Sequence, residues 1–146
     1  MFRNIRKDDC DLLFKWVNDS EVREMAFSTN AVLYEEHKKW FYNKLNSNLT
    51  HIFIACVDDK PIGQIRIDIE DNEGIIGYSI DKNYRGQGYG SKVLKKIITV
   101  VKDTDINISK LVGKVKHKNV KSCRAFERAG YKSIEREDFI EYYFEI

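Results

Sequence analysis

Three glycines stand on alternate positions in the run GYSIDKNYRGQGYGSKVLKKIITVVK, residues 77–102. Gly86, Gly88 and Gly90 follow a strand-like stretch and directly precede an amphipathic helical pattern, although the chain has only eight glycines. Glycine carries no Cβ that would hold a ligand away from the backbone. The first N–H groups of a helix are unpaired and attract anions. The spacing therefore predicts an anion site, most naturally for a pyrophosphate.

Two familiar phosphate loops do not fit these residues. The Walker A pattern requires a lysine directly after its last glycine, but Gly90 is followed by Ser91. The dinucleotide pattern G-x-G-x-x-G fails because Ser91 occupies its third glycine position. That pattern also needs an acidic residue at the end of the next strand, where this chain has Lys114 and Lys116. The glycine loop therefore belongs to another class of phosphate site.

The elements around the glycine loop follow the order β-α-α-β-β-β-α-β-α-β-β. Apolar residues at helical spacing predict helices within residues 8–19, 34–45, 89–102 and 119–129. Runs of β-forming residues predict strands at 2–5, 50–58, 62–70, 74–80 and 108–116, and a closing hairpin from 131–137 and 139–146. Residues 20–32 read as a loop or a short irregular helix. A helix connects the fourth and fifth strands, so these must be parallel in a mixed sheet with helices on both faces.

The composition narrows the class of protein. The chain of 146 residues fits one domain, 1–146, and its net charge of +2 argues against a general nucleic-acid or membrane surface. Its three cysteines are widely spaced, which indicates reduced thiols and no metal site. Neither a signal peptide nor an apolar run of membrane-spanning length is present. We expect a cytoplasmic monomer or homodimer without a metal.

Two segments resemble those of the GNAT N-acetyltransferase superfamily. YRGQGYGSKVL is similar to its acyl-CoA loop, Arg/Gln-x-x-Gly-x-Gly/Ala, with Arg85, Gly88 and Gly90 at the defined positions. HKNVKSCRAFERAGYK is similar to its second CoA segment, matched by Asn119, Ser122, Gly130 and Tyr131. The order of elements is also that of the family. The resemblance implies an α/β GNAT fold with six to seven strands, splayed between the fourth and fifth.

The resemblance also implies how acetyl-CoA, the co-substrate, is held. Backbone amides of residues 85–90 hold the pyrophosphate, and residues 78–80 pair with the pantetheine arm and point an N–H at the thioester carbonyl. Asn119 bonds the pantetheine region, and Lys92, Lys118 or Lys121 either meets the outer phosphate or is a solvated surface residue. The implied CoA-binding residues are Tyr78, Ser79, Ile80, Arg85, Gly86, Gln87, Gly88, Tyr89, Gly90, Ser91, Asn119, Ser122 and Phe126.

The family's chemistry is direct attack of an amine on the thioester, which calls for a general base and an acid. Many members carry the acid as a tyrosine seven residues after the asparagine, where this chain has Phe126. We predict that Tyr78 replaces it, with Tyr131 and Cys123 as alternatives. For the base we predict Glu73. Further candidates for the base are Glu70, Asp68, His37, His51 and a water chain to a carboxylate.

The first two helices resemble those of amino-sugar-nucleotide acetyltransferases of the pseudaminic-acid pathway. The similar segments are WVNDSEVREMAF, EEHKKWF and PIGQIRID. The resemblance implies transfer to the 4-amino group of a UDP-linked amino sugar. The implied acceptor-binding residues are Trp16, Asn18, Arg23, Asn30, His37, Trp40, Arg66 and Asp68. Three alternative acceptors are protein N-termini, polyamines and aminoglycosides. A non-catalytic acyl-CoA-binding module is an alternative of another class.

Overall fold

A seven-stranded mixed sheet forms the centre of the protein, whose computed structural model describes residues 1–146. The strands are β1 (Phe2–Asn4), β2 (Thr50–Val57), β3 (Lys60–Glu70), β4 (Glu73–Ile80), β5 (Lys110–Val115), β6 (Lys132–Glu135) and β7 (Ile140–Glu145). The helices are α1 (Cys10–Val17), α2 (Ser20–Met25), α3 (Tyr34–Leu45), α4 (Tyr89–Asp103) and α5 (Val120–Arg128).

The strand order is β1-β2-β3-β4-β5-β7-β6, and β4 and β5 are the one parallel pair. These two strands pair only where Glu73–Ile75 meet Lys110–Val112. Residues 76–80 of β4 therefore have no partner on β5, and the strands separate toward their carboxyl ends. This arrangement confirms the predicted mixed sheet, its parallel fourth and fifth strands, and the opening between them.

The two faces of the sheet are covered by different helices because the side chains of β3 alternate. Ile65 and Ile67 are fully buried in the larger core, together with Leu94 and Ile97 of α4. The opposite face carries Gln64, Arg66 and Asp68, and here β2 packs on α1 and α3 through a smaller core that includes Phe41. The acceptor-binding residues that were predicted on β3 thus face α1 and α3, not the larger core.

Helix α2 occupies the first part of the segment between α1 and α3. Its six residues include none that is buried, and its first amides, of Glu21 and Val22, donate to the Asp19 carboxylate at 3.1 and 3.3 Å. A cap of this kind stabilises a helix that packing does not hold. None of the helices combines the length and apolarity that a membrane crossing requires.

Candidate active site

A cavity of about 1000 Å³ opens at the carboxyl end of β4, where β4 and β5 separate. One side, here called the loop half, consists of residues 84–91 and of α5 with its capping residue, residues 119–128. The other side, the helix half, consists of α1, α2, α3 and the polar side chains of β3. The unpaired end of β4 lies between the two halves.

The glycine loop has the backbone that an anion site needs. Gly86 and Gly88 have φ angles of +76° and +83°, which L-residues with a Cβ rarely adopt, and no atom lies within 4 Å of where a Cβ would stand. Gly88 precedes α4, whose first turn contains no acidic side chain and no side-chain cap. A ligand can therefore approach these amides directly.

Gly90 has a different environment from the two open glycines. A Cβ there would lie 3.5 Å from Cβ of Ala125 and 3.7 Å from Cε2 of Tyr78, which is ordinary van der Waals contact. The packing of α4, α5 and β4 therefore leaves room for an alanine at this position. Gln87, between the two open glycines, lies outside the cavity and donates weakly to the carbonyl of Asn83 at 3.4 Å.

The side chain of Arg85 turns away from the glycine loop toward α2. It donates to Glu21 at 2.8 Å, to Asp19 at 2.9 Å and to the carbonyl of Ile80 at 3.0 Å. Burial is the largest single influence and disfavours the charged carboxylate of Asp19, but the hydrogen bonds from Arg85, Val22 and Glu21 and the charge of Arg85 together outweigh it and lower the pKa of Asp19. The first residue of the loop motif thus fixes α2 with its side chain.

Tyr78 lies on the unpaired end of β4 and reaches α5. Its hydroxyl shares a 2.8 Å hydrogen bond with Oγ of Ser122, and burial raises the pKa of Tyr78 to about 12. The next residue, Ser79, lies on the other face of the sheet from Tyr78, where it accepts a 3.2 Å hydrogen bond from its cross-strand partner Gln64. Tyr78, Ser79, Ile80 and Ser122, which are predicted to bind CoA, all line the cavity.

Phe126 lines the cavity but belongs to an aromatic cluster. Its ring stacks on Tyr142 at 5.0 Å and meets Tyr131 and Tyr78 edge-on at 5.0 and 5.8 Å. A Cβ on Gly113 would overlap this ring, so the glycine makes room for it. Tyr131 donates its hydroxyl to the carbonyl of Leu94 in the core. Neither Tyr131 nor the buried Cys123 lines the cavity, so Tyr78 is the one hydroxyl or thiol among these three candidates that does.

Asn119 begins α5 and already uses its side-chain oxygen. This oxygen accepts from the amide of Ser122 at 3.3 Å, which leaves the side-chain NH₂ as the group free to bind a ligand. Among the predicted lysines, Lys121 lines the cavity and lies 3.3 Å from Glu21. Lys92 and Lys118 do not line the cavity, and Lys92 lies over the ring of Tyr89.

Three aromatic residues of the helix half hold defined positions. Trp16 donates its indole N–H to the buried carboxylate of Asp81, directly after β4, at 2.9 Å. His37 donates from Nε2 to the carbonyl of Cys10 at 2.8 Å, so Nδ1 is the acceptor nitrogen of the neutral ring. Trp40 stacks on His37 with ring centroids 5.7 Å apart. Trp16, His37 and Trp40 line the cavity as predicted.

Two other predicted acceptor-binding residues, Asn18 and Arg23, hold the backbone instead, and the backbone carbonyl of a third, Asn30, is one of the groups held. Asn18 exchanges two 2.8 Å hydrogen bonds with the backbone of Val32. Arg23 donates to the carbonyls of Val17, Ser28 and Asn30 at 2.7, 3.0 and 3.1 Å. Asn18 and Asn30 lie outside the cavity, and Arg23 lines it while it ties the loop after α2 to α1.

Arg66 and Asp68 form an ion pair on the polar face of β3. Nε of Arg66 donates to Asp68 at 2.7 Å, and Asp68 also accepts from Lys44 and Thr50 at 2.8 and 2.7 Å. Burial is the largest single influence and opposes ionisation of Asp68, but the hydrogen bonds from Lys44, Thr50 and Arg66 and the charge of Arg66 together outweigh it and lower the pKa of Asp68. Arg66 lines the cavity, whereas Asp68 lies behind it.

The predicted base, Glu73, is not among the residues that line the cavity, although Ile75, two positions further along β4, is. Glu73 begins β4, pairs in register with Glu70, and its carboxylate is 3.6 Å from Lys110. An extended strand advances about 3.3 Å per residue, so Glu73 is roughly 23 Å from Ile80. The structure therefore does not bring Glu73 together with Tyr78. Glu70 and His51 also lie outside the cavity.

Several cavity residues were not predicted from the sequence, and two of these make polar contacts with predicted ones. Glu21 bridges Arg85 and Lys121, and Gln64 bonds Ser79. No local pattern points to Glu21, because Arg85 is 64 positions away and Lys121 is 100. Gln64 shows only the polar side of an alternating strand. No group of three His, Cys, Asp or Glu side chains is arranged to hold a metal ion.

Comparison with known proteins identifies the family. The family model of the acetyltransferase (GNAT) domain matches residues 1–132. No curated protein matches the chain significantly in sequence. The spermidine N-acetyltransferase from Vibrio cholerae, solved with CoA and spermine, has a TM-score of 0.85 at 14% identity, over 99% of this chain and 94% of that chain.

Two further solved structures are similar. The aminoglycoside acetyltransferase AAC(6')-Ib with coenzyme A and kanamycin gives 0.81 at 16% identity, covering 99% and 94% of the two chains. The ribosomal alpha-N-protein acetyltransferase RimL with coenzyme A gives 0.84 at 17%, covering 99% and 93%. At these identities the structures show a shared fold, and the family is shown by the match over residues 1–132. The chain belongs to the GNAT acetyltransferase family.

Proposed function

We propose that this acetyltransferase transfers an acetyl group from acetyl-CoA to the amino group of a UDP-linked amino sugar. One observation carries the proposal: a single cavity joins the open glycine loop to a pocket of aromatic and cationic side chains. The loop half suits the phosphates of acetyl-CoA, because bare amides precede α4 and no acidic side chain repels an anion there. The unpaired end of β4 suits the pantetheine arm, because its backbone groups have no partner on β5.

Acetyl-CoA supplies a thioester that a neutral amine can attack. Tyr78 is the residue of this chain that we assign to the departing sulfur. Its pKa of about 12 keeps the hydroxyl protonated at neutral pH. A thiol has a pKa of about 8.5, so complete proton transfer from Tyr78 to the thiolate is uphill. Tyr78 therefore stabilises the developing negative charge by hydrogen bonding, and Ser122 orients the hydroxyl.

His37 is the residue that we assign to the proton of the amine. It lines the cavity, and the hydrogen bond from Nε2 to the carbonyl of Cys10 fixes the tautomer in which Nδ1 accepts. No buried side-chain nitrogen is left without a partner, so Nδ1 is not sealed in the core. Glu73 has no part in the proposal because it does not line the cavity.

The charges of the helix half support an anionic acceptor over a polyamine or an aminoglycoside. Glu21 is neutralised by Arg85 and Lys121, which leaves Glu36, at the exposed start of α3, as the one other carboxylate of the cavity. Arg66 adds a positive charge beside the face of Trp40. A polycation would meet repulsion here, whereas a nucleotide sugar offers a base or sugar to Trp40 and phosphates to a cation.

The proposal is tested by measuring free-thiol release from acetyl-CoA, with mass spectrometry for the added acetyl group. The acceptors are a UDP-4-amino-4,6-dideoxy sugar, spermidine, an alanine-starting peptide and kanamycin. We expect release with the sugar nucleotide and at most traces with the other three. The Tyr78→Phe variant serves as the matched control for enzyme-dependent release.

Other results would contradict the proposal in distinct ways. Thiol release with only spermidine, the peptide or kanamycin would contradict the sugar-nucleotide acceptor. The protein would still be an N-acetyltransferase, with that amine as its acceptor. Binding of acetyl-CoA without release with any of the four amines would favour the non-catalytic module.

A further inference from the structure

Three arginines lie in or beside the helix half, and they differ in how many of their side-chain nitrogens already donate hydrogen bonds within the protein. All three side-chain nitrogens of Arg85 donate hydrogen bonds within the protein. Arg23 donates from Nε and Nη1 to three backbone carbonyls. Arg66 uses only Nε, on Asp68, and neither of its Nη nitrogens donates within the protein. Arg66 therefore presents the two unused nitrogens of its guanidinium to the cavity that it lines.

The guanidinium of Arg66 is held in one place by its neighbours. The face of Trp40 lies 5.1 Å from its central carbon, and Asp68 holds Nε at 2.7 Å. On the other side lies Gly77, the cross-strand partner of Arg66 on β4. A Cβ at Gly77 would stand 2.9 Å from Nη2, so the absence of a side chain leaves the space that the guanidinium occupies.

The charge of Arg66 is not cancelled by its ion pair. Asp68 accepts from Lys44 at 2.8 Å as well as from Arg66 at 2.7 Å, so two cations share one carboxylate. The local field at the cavity wall is therefore positive. A planar guanidinium with two free N–H groups and an aromatic ring beside it matches a phosphate or carboxylate oxygen pair.

The position of Arg66 relates this anion site to the reacting amine. Arg66 lies over Gly77, two residues before Ser79, in the stretch of β4 that we assign to the pantetheine arm and the thioester. Two residues of extended strand span roughly 7 Å. An anion on Arg66 is thus about one sugar ring away from that end of β4. In a sugar nucleotide, the ring separates the anomeric diphosphate from an amine on the opposite ring carbon.

We infer that Arg66, braced by Trp40 and Asp68 against Gly77, binds the acceptor's diphosphate and selects for an anionic acceptor. This inference rests on the proposed function and adds to it the residue that makes the choice. Arg66 acts through uniform binding, because it holds a group that does not change charge during the reaction.

The experiment is isothermal titration of UDP into the full-length protein saturated with CoA. Saturation fills the loop half, so that UDP reports on the helix half. We expect Arg66→Gln to weaken UDP binding at least tenfold, which corresponds to loss of charge-assisted hydrogen bonds. In acetyl transfer to the UDP-amino sugar, the acceptor KM should rise by the same factor, while kcat and the acetyl-CoA KM change less than threefold.

Two further variants control for charge and folding. Lys60→Gln removes one positive charge at the exposed start of the same strand, and its UDP affinity should stay within twofold of wild type. Gly77→Ala keeps the charge of Arg66 but pushes its flexible tip aside, and should weaken UDP binding three- to tenfold. Thermal unfolding checks that each variant is folded, and Gly77→Ala replaces Arg66→Gln if the latter is not.

The outcomes separate this inference from the proposed function. Equal UDP affinity of wild type and Arg66→Gln, or no UDP binding to the CoA-loaded wild type, would overturn the inference even if the sugar nucleotide is acetylated. Arg66-dependent UDP binding without acetylation of the sugar nucleotide would support the anion site and overturn the proposed acceptor. If Lys60→Gln lost as much UDP affinity as Arg66→Gln, the loss would reflect the net charge of the protein and not a specific site. That result would overturn the inference.

Discussion

The two halves of the cavity recognise their ligands with different parts of the chain. In the loop half, the binding groups that we propose are backbone amides, and the defining residues are Gly86 and Gly88. In the helix half, the binding groups that we propose are side chains, and several of the residues predicted to bind already have hydrogen-bond partners within the protein. Arg23 and Asn18 hold backbone, and Asp68 holds Arg66 and Lys44.

This difference shows why a motif carries more information about one half than about the other. A backbone site needs only a local conformation, which glycine spacing reports directly. A side-chain site depends on which donors remain after the protein has used the rest. The variants below test that contrast, from the largest expected effect to the smallest.

The first test is Gly88→Ala, which should raise the KM for acetyl-CoA about 100-fold. An added Cβ at φ +83° strains the backbone by roughly 1–2 kcal/mol and stands in the open space above the amides. Loss of about two charge-assisted hydrogen bonds to phosphate accounts for the factor. Steady-state kinetics and a thermal melt separate binding from stability.

Gly90→Ala is the matched control for that variant. Its Cβ would make only ordinary contacts with Ala125 and Tyr78, so the acetyl-CoA KM should change less than threefold. Equal effects of the two alanines would contradict a backbone phosphate site at Gly88.

The second test is Tyr78→Phe, which should lower kcat about 100-fold with little change in either KM. The variant removes the hydroxyl that we assign to the departing sulfur, and loss of such a group typically costs this much. Ser122→Ala, which leaves the hydroxyl but removes its partner, should cost less than tenfold. An unchanged kcat in Tyr78→Phe would exclude Tyr78 from the chemistry.

The pH profile sharpens this second test. The hydroxyl must be protonated to donate, and its pKa of about 12 means that it stays protonated as pH rises from 7 to 10. The amine must be neutral to attack, so kcat/KM should rise with pH and show no descending limb below pH 10. A decline centred below pH 10 that disappears in Tyr78→Phe would contradict the assigned protonation state.

The third test is Arg85→Gln, which should raise the acceptor KM about tenfold and the acetyl-CoA KM less than threefold. The residue belongs to the loop motif, but its side chain holds Asp19 and Glu21 of the segment that walls the helix half. Helix α2 has no buried residue to hold it otherwise. Lys121→Gln is the control, because its 3.3 Å contact with Glu21 is exposed. A larger rise in the acetyl-CoA KM than in the acceptor KM would contradict this prediction. It would indicate that the Arg85 side chain serves the loop half.

Most of the fold could be predicted from the sequence, since periodic apolar residues and turn residues act locally. The alternation of Ile65, Ile67 and Ile69 indicated which face of β3 is buried, and a helix between the fourth and fifth strands required them to be parallel. Helix α2 was harder to predict from the sequence, because it has neither an apolar stripe nor a buried residue. Its stability comes from the carboxylate of Asp19 and the side chain of Arg85.

The candidate site could be predicted only in part, and Glu73 shows the limit. A carboxylate near a turn before β4 is a reasonable base by composition, but its position on the strand places it at the wrong end. Arg23 and Arg66 look equivalent in the sequence, yet one is engaged by carbonyls and the other faces the cavity with free nitrogens.

The sequence by itself determined the order of elements and the glycine loop, because both depend on conformations that neighbouring residues impose. The tertiary structure alone decided which side chains are free to act. Tyr78 meets Ser122 across 44 positions, Arg85 meets Glu21 across 64, and Trp16 meets Asp81 across 65. A donor's availability depends on partners at such separations, which no local pattern records.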